Sequence, residues 1–197
     1  MGIAQSGPYA AMDDDPDDYR PGSAWLPQVD PDGRTSMAVI RERIGVGDRI
    51  PRHWHDVDEV VLYESGVAVA HLDGVDAPVS AGATVFIPAG VVHGTVNTGD
   101  VPVEVRAVYP ATVVRMDLVE RNPAPGTQDE PPRATRYDLT TGEFDVLGET
   151  TLPSSPDRAG PARSAVRTGS DPIGPRCWRT TCSEAHGRAL HRQPTTP

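Results

Sequence analysis

The stretch HWHDVDEVVLYESG, running from His53 to Gly66, decides what kind of fold this chain can adopt. His53 and His55 are two apart, so on an extended strand both side chains leave the same face. Glu59 opens the apolar run Glu59–Tyr63, where a charge is costly unless something satisfies it. A second stretch, GATVFIPAGVVHGTVN from Gly82 to Asn97, has the same texture, with Thr84–Ile87, a Pro88-Ala89-Gly90 turn and His93 just beyond it. Neither stretch shows a sustained helical period, and both read as strands.

Working outward, short apolar runs alternate with turns across residues 36–119. The runs are Met37–Ile44, Glu59–Tyr63, Val67–Leu72, Thr84–Ile87, Val91–Val96, Val103–Tyr109 and Thr112–Leu118. Gly45–Gly47, Ser65-Gly66, Asp73-Gly74, Ala81-Gly82, Pro88–Gly90 and Thr98–Asp100 separate them. Strands at this spacing with Gly and Pro turns predict an all-β sandwich or barrel. Residues 120–150 read as a loop with one possible hairpin, Tyr137–Val146, turning at Gly142. Residues 1–35 hold the acidic run Asp13–Asp18 and read as a mostly flexible, solvated segment. Its apolar knot Ala24-Trp25-Leu26 could instead dock on the barrel or on a second subunit. Residues 151–197, rich in Arg, Pro, Ser and Thr, read as a disordered tail.

The chain has 197 residues, a net charge of −10 and no lysine, all 18 basic residues being arginine. An acidic surface repels phosphates, so nucleic acid is not an expected partner. No apolar stretch is long enough to span a bilayer and no secretory leader is evident, so the expected location is cytoplasmic, with no membrane partner. Both cysteines, Cys177 and Cys182, lie in the tail, so no disulfide framework holds the core. With His186 and His191 they loosely suggest a zinc knuckle, but the spacing between the pairs is far too short for a zinc finger.

Four of the six histidines fall between residues 53 and 93. His53, His55, Glu59 and His93 together offer three neutral imidazoles and a carboxylate, a set suited to one divalent transition metal (Fe, Mn, Ni, Cu or Zn). One carboxylate leaves a divalent centre net positive, which favours an anionic or enolisable substrate oxygen. Counting by two from Glu59 places Val61 and Tyr63 on its face, and from His93 it places Thr95 and Asn97. Tyr63 is thus the expected helper in catalysis, beside Glu59 as ligand and proton shuttle; its other reading is an aromatic that fills the barrel. On Val103–Tyr109 the odd positions form the apolar, inward set. His71 lies outside this constellation and is not expected to bind metal. Trp54 should pack on the opposite face, and Asn97 should fix the turn at Thr98-Gly99. Asp56 and Asp58 could orient an imidazole but read more simply as loop charges.

The two stretches form frames. Gly47, His53, His55, Glu59 and Gly66 make one; Gly82, Pro88, Gly90, His93 and Asn97 make the other. Both resemble the two conserved motifs of the cupin superfamily at every fixed position, and the resemblance covers roughly Ser36 to Glu120. It implies an antiparallel jelly-roll-like barrel whose metal is held inside by His53, His55, Glu59 and His93. It also implies a small-molecule substrate, with oxygenase-type chemistry leading and metal-assisted isomerisation or lyase chemistry second. The alternative is a non-catalytic sensor or storage barrel, because function lives in the site and not in the fold. Cupin barrels commonly pair, so a homodimer is expected, with Trp25-Leu26 as a local reason.

Overall fold

Burial alternates with period two along the strands that matter. In Arg49–His55 the inward residues are Pro51, His53 and His55; in Glu59–Ser65 they are Glu59, Val61 and Tyr63. In Val103–Tyr109 they are Val103, Val105, Ala107 and Tyr109. A computed structural model describes residues 2–5 and 7–153. Its strands are β1 (Ala10–Met12), β2 (Arg20–Val29), β3 (Ala38–Ile44), β4 (Arg49–His55), β5 (Glu59–Ser65), β6 (Val67–Leu72), β7 (Val75–Ser80), β8 (Thr84–Ile87), β9 (His93–Asn97), β10 (Val103–Tyr109), β11 (Val113–Leu118), β12 (Arg133–Asp138) and β13 (Glu143–Glu149). Among the described residues there is no helix, and so none long and apolar enough to cross a membrane.

The strands form two antiparallel sheets. One has the order β1-β2-β3-β10-β5-β8, the other β13-β12-β11-β4-β9-β6-β7. Between the sheets lie two apolar clusters, one around Ile44, Val61, Tyr63, Val103 and Val105, the other around Ala38, Ala107, Tyr109, Val114 and Leu139. The fold is all-β, as the turn-punctuated texture predicts. Asn97 ties its turn together: its Nδ2 donates to the carbonyls of Ile44, Gly45 and Val101, and its Oδ1 accepts from the Gly99 N–H. Arg115 lies over the Trp54 ring on the outer face, 5.4 Å from its centroid.

One expectation is corrected. Residues 1–35 are not a loose acidic segment, because β2 adds to the first sheet along β3, from Ala24↔Arg43 to Val29↔Ala38. Two of the acids expected in solvent, Asp17 and Asp18, are buried and paired with arginines, while Asp13 and Asp14 stay exposed. Asp18 pairs with Arg20 at 2.7 Å, Arg20 also pairs with Glu42, and Asp17 accepts from both Arg121 and Arg133 at 2.6 Å. Trp25 packs against the second cluster, so the apolar knot docks on the barrel. Strand β7 also escapes the sequence reading, since Asp76 and Pro78 break its apolar pattern. The hairpin β12–β13 turns at Gly142, whose φ of 78° favours glycine. The tail from 154 on, including the Cys177–His191 pattern, lies outside the described residues.

Candidate metal centre

Adjacent strands bring the four side chains together. His53 and His55 project inward from β4, His93 opens β9, where its Cα pairs with that of His53, and Glu59 opens β5 in the facing sheet. All four are 5% exposed, and one ligand atom from each lies within 4.8 Å of the others.

Each imidazole has its Nδ1 against a backbone carbonyl: His53 on Pro51 at 2.7 Å, His55 on Arg115 at 2.8 Å, His93 on Val91 at 2.8 Å. A carbonyl oxygen only accepts, so each Nδ1 carries the proton. In their neutral form the rings therefore turn three Nε2 lone pairs inward. His53 Nε2 and His55 Nε2 are 3.0 Å apart, and His93 Nε2 lies 2.8 Å from Glu59 Oε2. The last two atoms are close but not aligned as a hydrogen bond, and both are buried without a hydrogen-bond partner. Lone pairs and a carboxylate oxygen crowded this way repel unless a cation sits among them. A divalent metal fits the set, and the carbonyls fix the rings that would bind it.

The electrostatics follow from burial and crowding. Burial pulls His53 far below the ordinary imidazole value, with the His93 and His55 rings adding to it. Burial also lowers His55, though Glu59 opposes it. Burial would raise Glu59, but the His93 and His55 rings and the Tyr109 hydroxyl outweigh this and hold it low. His93 goes the other way: Glu59 overcomes the burial and raises it. Where no metal is bound, a proton on His93 is the simplest cation to share with Glu59.

The centre faces a cavity of about 420 Å³. Val61, Val85, Ile87, Val105 and Ala107 supply apolar wall, and Arg20 and Glu42 supply a polar strip. Trp25, Tyr137 and Phe144 also line it, and these come from β2, β12 and β13, outside the region that the motifs cover. Tyr137 meets Trp25 edge-on at 6.3 Å and stacks on Phe144 at 5.7 Å.

Tyr63 lies on the cavity wall, with its hydroxyl 2.7 Å from Thr95 Oγ1 and its pKa pushed by burial to about 12. The nearby Glu59 charge adds to that rise, but the hydroxyl's hydrogen bond goes to Thr95. Tyr109 is the one that bonds to a ligand candidate: its hydroxyl donates to Glu59 Oε1 at 2.9 Å. Period-two counting put Tyr109 inward, yet a tyrosine closing an apolar strand reads as core, so nothing singled it out. Asp56 and Asp58 do not orient the imidazoles; they accept from the backbone N–H of Arg115 and Ala89. His71 pairs with Asp76 at 2.7 Å on the β6–β7 hairpin.

The profile of the Cupin domain family matches residues 40–109. Protein SchB of Streptomyces halstedii is 35% identical over 112 residues, covering 53% of this chain and 77% of its own length. The chain is a cupin. Similar solved structures include a cupin-superfamily sugar phosphate isomerase from Silicibacter pomeroyi, with TM-score 0.49 and 23% identity over 67% of this cupin and 82% of that chain. The polyketide cyclase RemF from Streptomyces resistomycificus aligns with TM-score 0.42 and 23% identity over 52% of this cupin and 68% of that chain.

Proposed function

We propose that this cupin is a metal-dependent enzyme acting on a small, largely apolar organic molecule that offers an oxygen atom to the metal. The observation that carries the reading is the convergence of three Nε2 lone pairs and Glu59 Oε2 on one point beside an apolar cavity. His53, His55, Glu59 and His93 would hold one divalent transition metal, of which Fe, Mn, Ni, Cu and Zn all suit the donors. Bound there, the metal supplies Lewis acidity and, as iron, a place for dioxygen beside substrate. Oxygenase-type chemistry is the leading form, because an apolar pocket suits both an organic substrate and dioxygen.

The protein's own groups then have defined tasks. The apolar wall excludes water and orients the substrate body. Glu59 is held ionised and can carry a proton between turnovers. Tyr63, kept protonated by burial, can donate a hydrogen bond to a substrate oxygen. That second feature favours an alternative, isomerisation or lyase chemistry, since a neutral phenol stabilises a developing enolate oxygen.

Metal content of the purified protein tests the centre. About one equivalent is expected, lost in His53→Ala and His93→Ala; a metal-free wild type overturns the reading. Oxygen consumption with a panel of phenols, diols and carboxylates then separates the branches. Turnover without oxygen uptake moves the assignment to the isomerase or lyase branch, and ligand binding with no turnover leaves a non-catalytic sensor or storage module.

A further inference from the structure

The two oxygens of Glu59 face different partners. Oε2 is turned to the imidazoles, 2.8 Å from His93 Nε2 and 3.7 Å from His55 Nε2. Oε1 accepts the 2.9 Å hydrogen bond from Tyr109, whose hydroxyl also lies 3.4 Å from His55 Nε2. The Tyr109 ring stands edge-on to His55, centroids 5.3 Å apart at 84°, and the residue is 5% exposed at the end of β10.

We infer that Tyr109 is a positioning residue that holds Glu59 to a single donor oxygen and so keeps one position of a bound metal open to an incoming ligand. The inference rests on the metal reading proposed above. A carboxylate binds a cation through one oxygen or both, and what decides is how the second oxygen is otherwise satisfied. Here a phenol O–H meets a carboxylate, a charge-assisted bond of the stronger kind. Glu59 is buried, so without the hydroxyl Oε1 is a charged atom that has lost its protein donor. The nearest remedy is then the cation itself. Tyr63 is not placed to stand in, its hydroxyl lying against Thr95 Oγ1 while Tyr109 is the one that reaches Glu59.

The test uses the full chain loaded with cobalt(II), with azide as the probe of the open position. Tyr109→Phe removes only the hydroxyl, and Tyr109→Leu removes it with a different packing load. Both are expected to take up as much cobalt as wild type, with weaker visible d–d bands, the sign of a higher coordination number. Azide should bind them about tenfold more weakly or worse, a loss of about 1.4 kcal/mol. The cobalt X-ray absorption fine structure should gain one light-atom neighbour. Unchanged azide affinity and unchanged bands in the variants overturn the inference. Loss of the fold in both variants also overturns it, by making the hydroxyl structural. A wild-type chain that takes up no cobalt fails differently, since it removes the metal reading as well.

Discussion

His53, His55 and His93 are oriented by main-chain carbonyls of Pro51, Arg115 and Val91, with no side-chain carboxylate involved. The ring geometry therefore belongs to the fold and should survive metal removal. The same burial sets a pH dependence. His53 and His55 have folded values below the ordinary imidazole value of about 6.5, so below that pH the unfolded chain binds more protons than the folded one. Stability of the metal-free protein is thus fully present above about pH 6.5 and declines as the pH falls. His93 is raised and opposes this, its contribution being present below pH 6.5 and lost as the pH climbs through its folded value. Asp18, which burial raises to about 6, opposes it as well, but His53 lies so far below the ordinary value that the expected net change is a loss of stability in acid. Urea unfolding in chelator at pH 7.5 and 5.5 should show a lower midpoint at 5.5, and His53→Asn should shrink the difference. The ligand candidates were legible because period two and turn spacing are local patterns. Tyr109 was not, because its contact with Glu59 joins residues 50 apart in the chain.

Among the elements, the turn into β6 is the most constrained. Gly66 has φ of 79°, and a Cβ there would lie 2.8 Å from Val103 Cγ2 and 2.9 Å from the Pro102 carbonyl. Gly90 has nearly the same φ, 78°, but open space around it. Gly66→Ala should therefore cost clearly more than Gly90→Ala, whose penalty is the backbone term alone, about 1–2 kcal/mol. Thermal melts of the two variants check the ranking, and equal losses would remove the packing argument at Gly66. Most barrel strands were legible from alternation bounded by turns. Strand β2 was not, because Pro21, Gly22 and Pro27 mask it. The two prolines are tolerated where β1 offers no partner, since β1 pairs only with Arg20, Ala24 and Trp25.

At the scale of the whole molecule, Arg121 joins segments far apart in the chain. Its guanidinium meets Asp17 Oδ1 at 2.6 Å and the carbonyls of Pro16, Thr127 and Glu130 at 2.9, 2.6 and 2.8 Å. Arg121 and Asp17 are both buried, so Asp17→Ala leaves a buried cation short of its partner and should cost about 3–5 kcal/mol. Asp13→Asn, in the same acidic run but exposed, should change stability by less than about 0.5 kcal/mol. Chemical unfolding of the pair checks this, with hydrogen exchange expected to rise in residues 120–149 of the Asp17 variant. Such links were invisible in the sequence, because an acid and an arginine 104 residues apart carry no periodic signal. We propose that the chain pairs as a homodimer; β13 ends its sheet with Phe144, Val146 and Leu147 exposed, and sedimentation of a Leu147→Asp variant tests that edge. The cavity wall has one more consequence, in the order of synthesis. All four ligand candidates have been translated by residue 93, whereas Tyr137 and Phe144, which complete the wall, follow more than 40 residues later. At ribosomal speed that is a delay of some seconds. During it an ion can reach the nascent ligands from bulk water before the aromatic wall exists, so metal capture and substrate entry need not share a route.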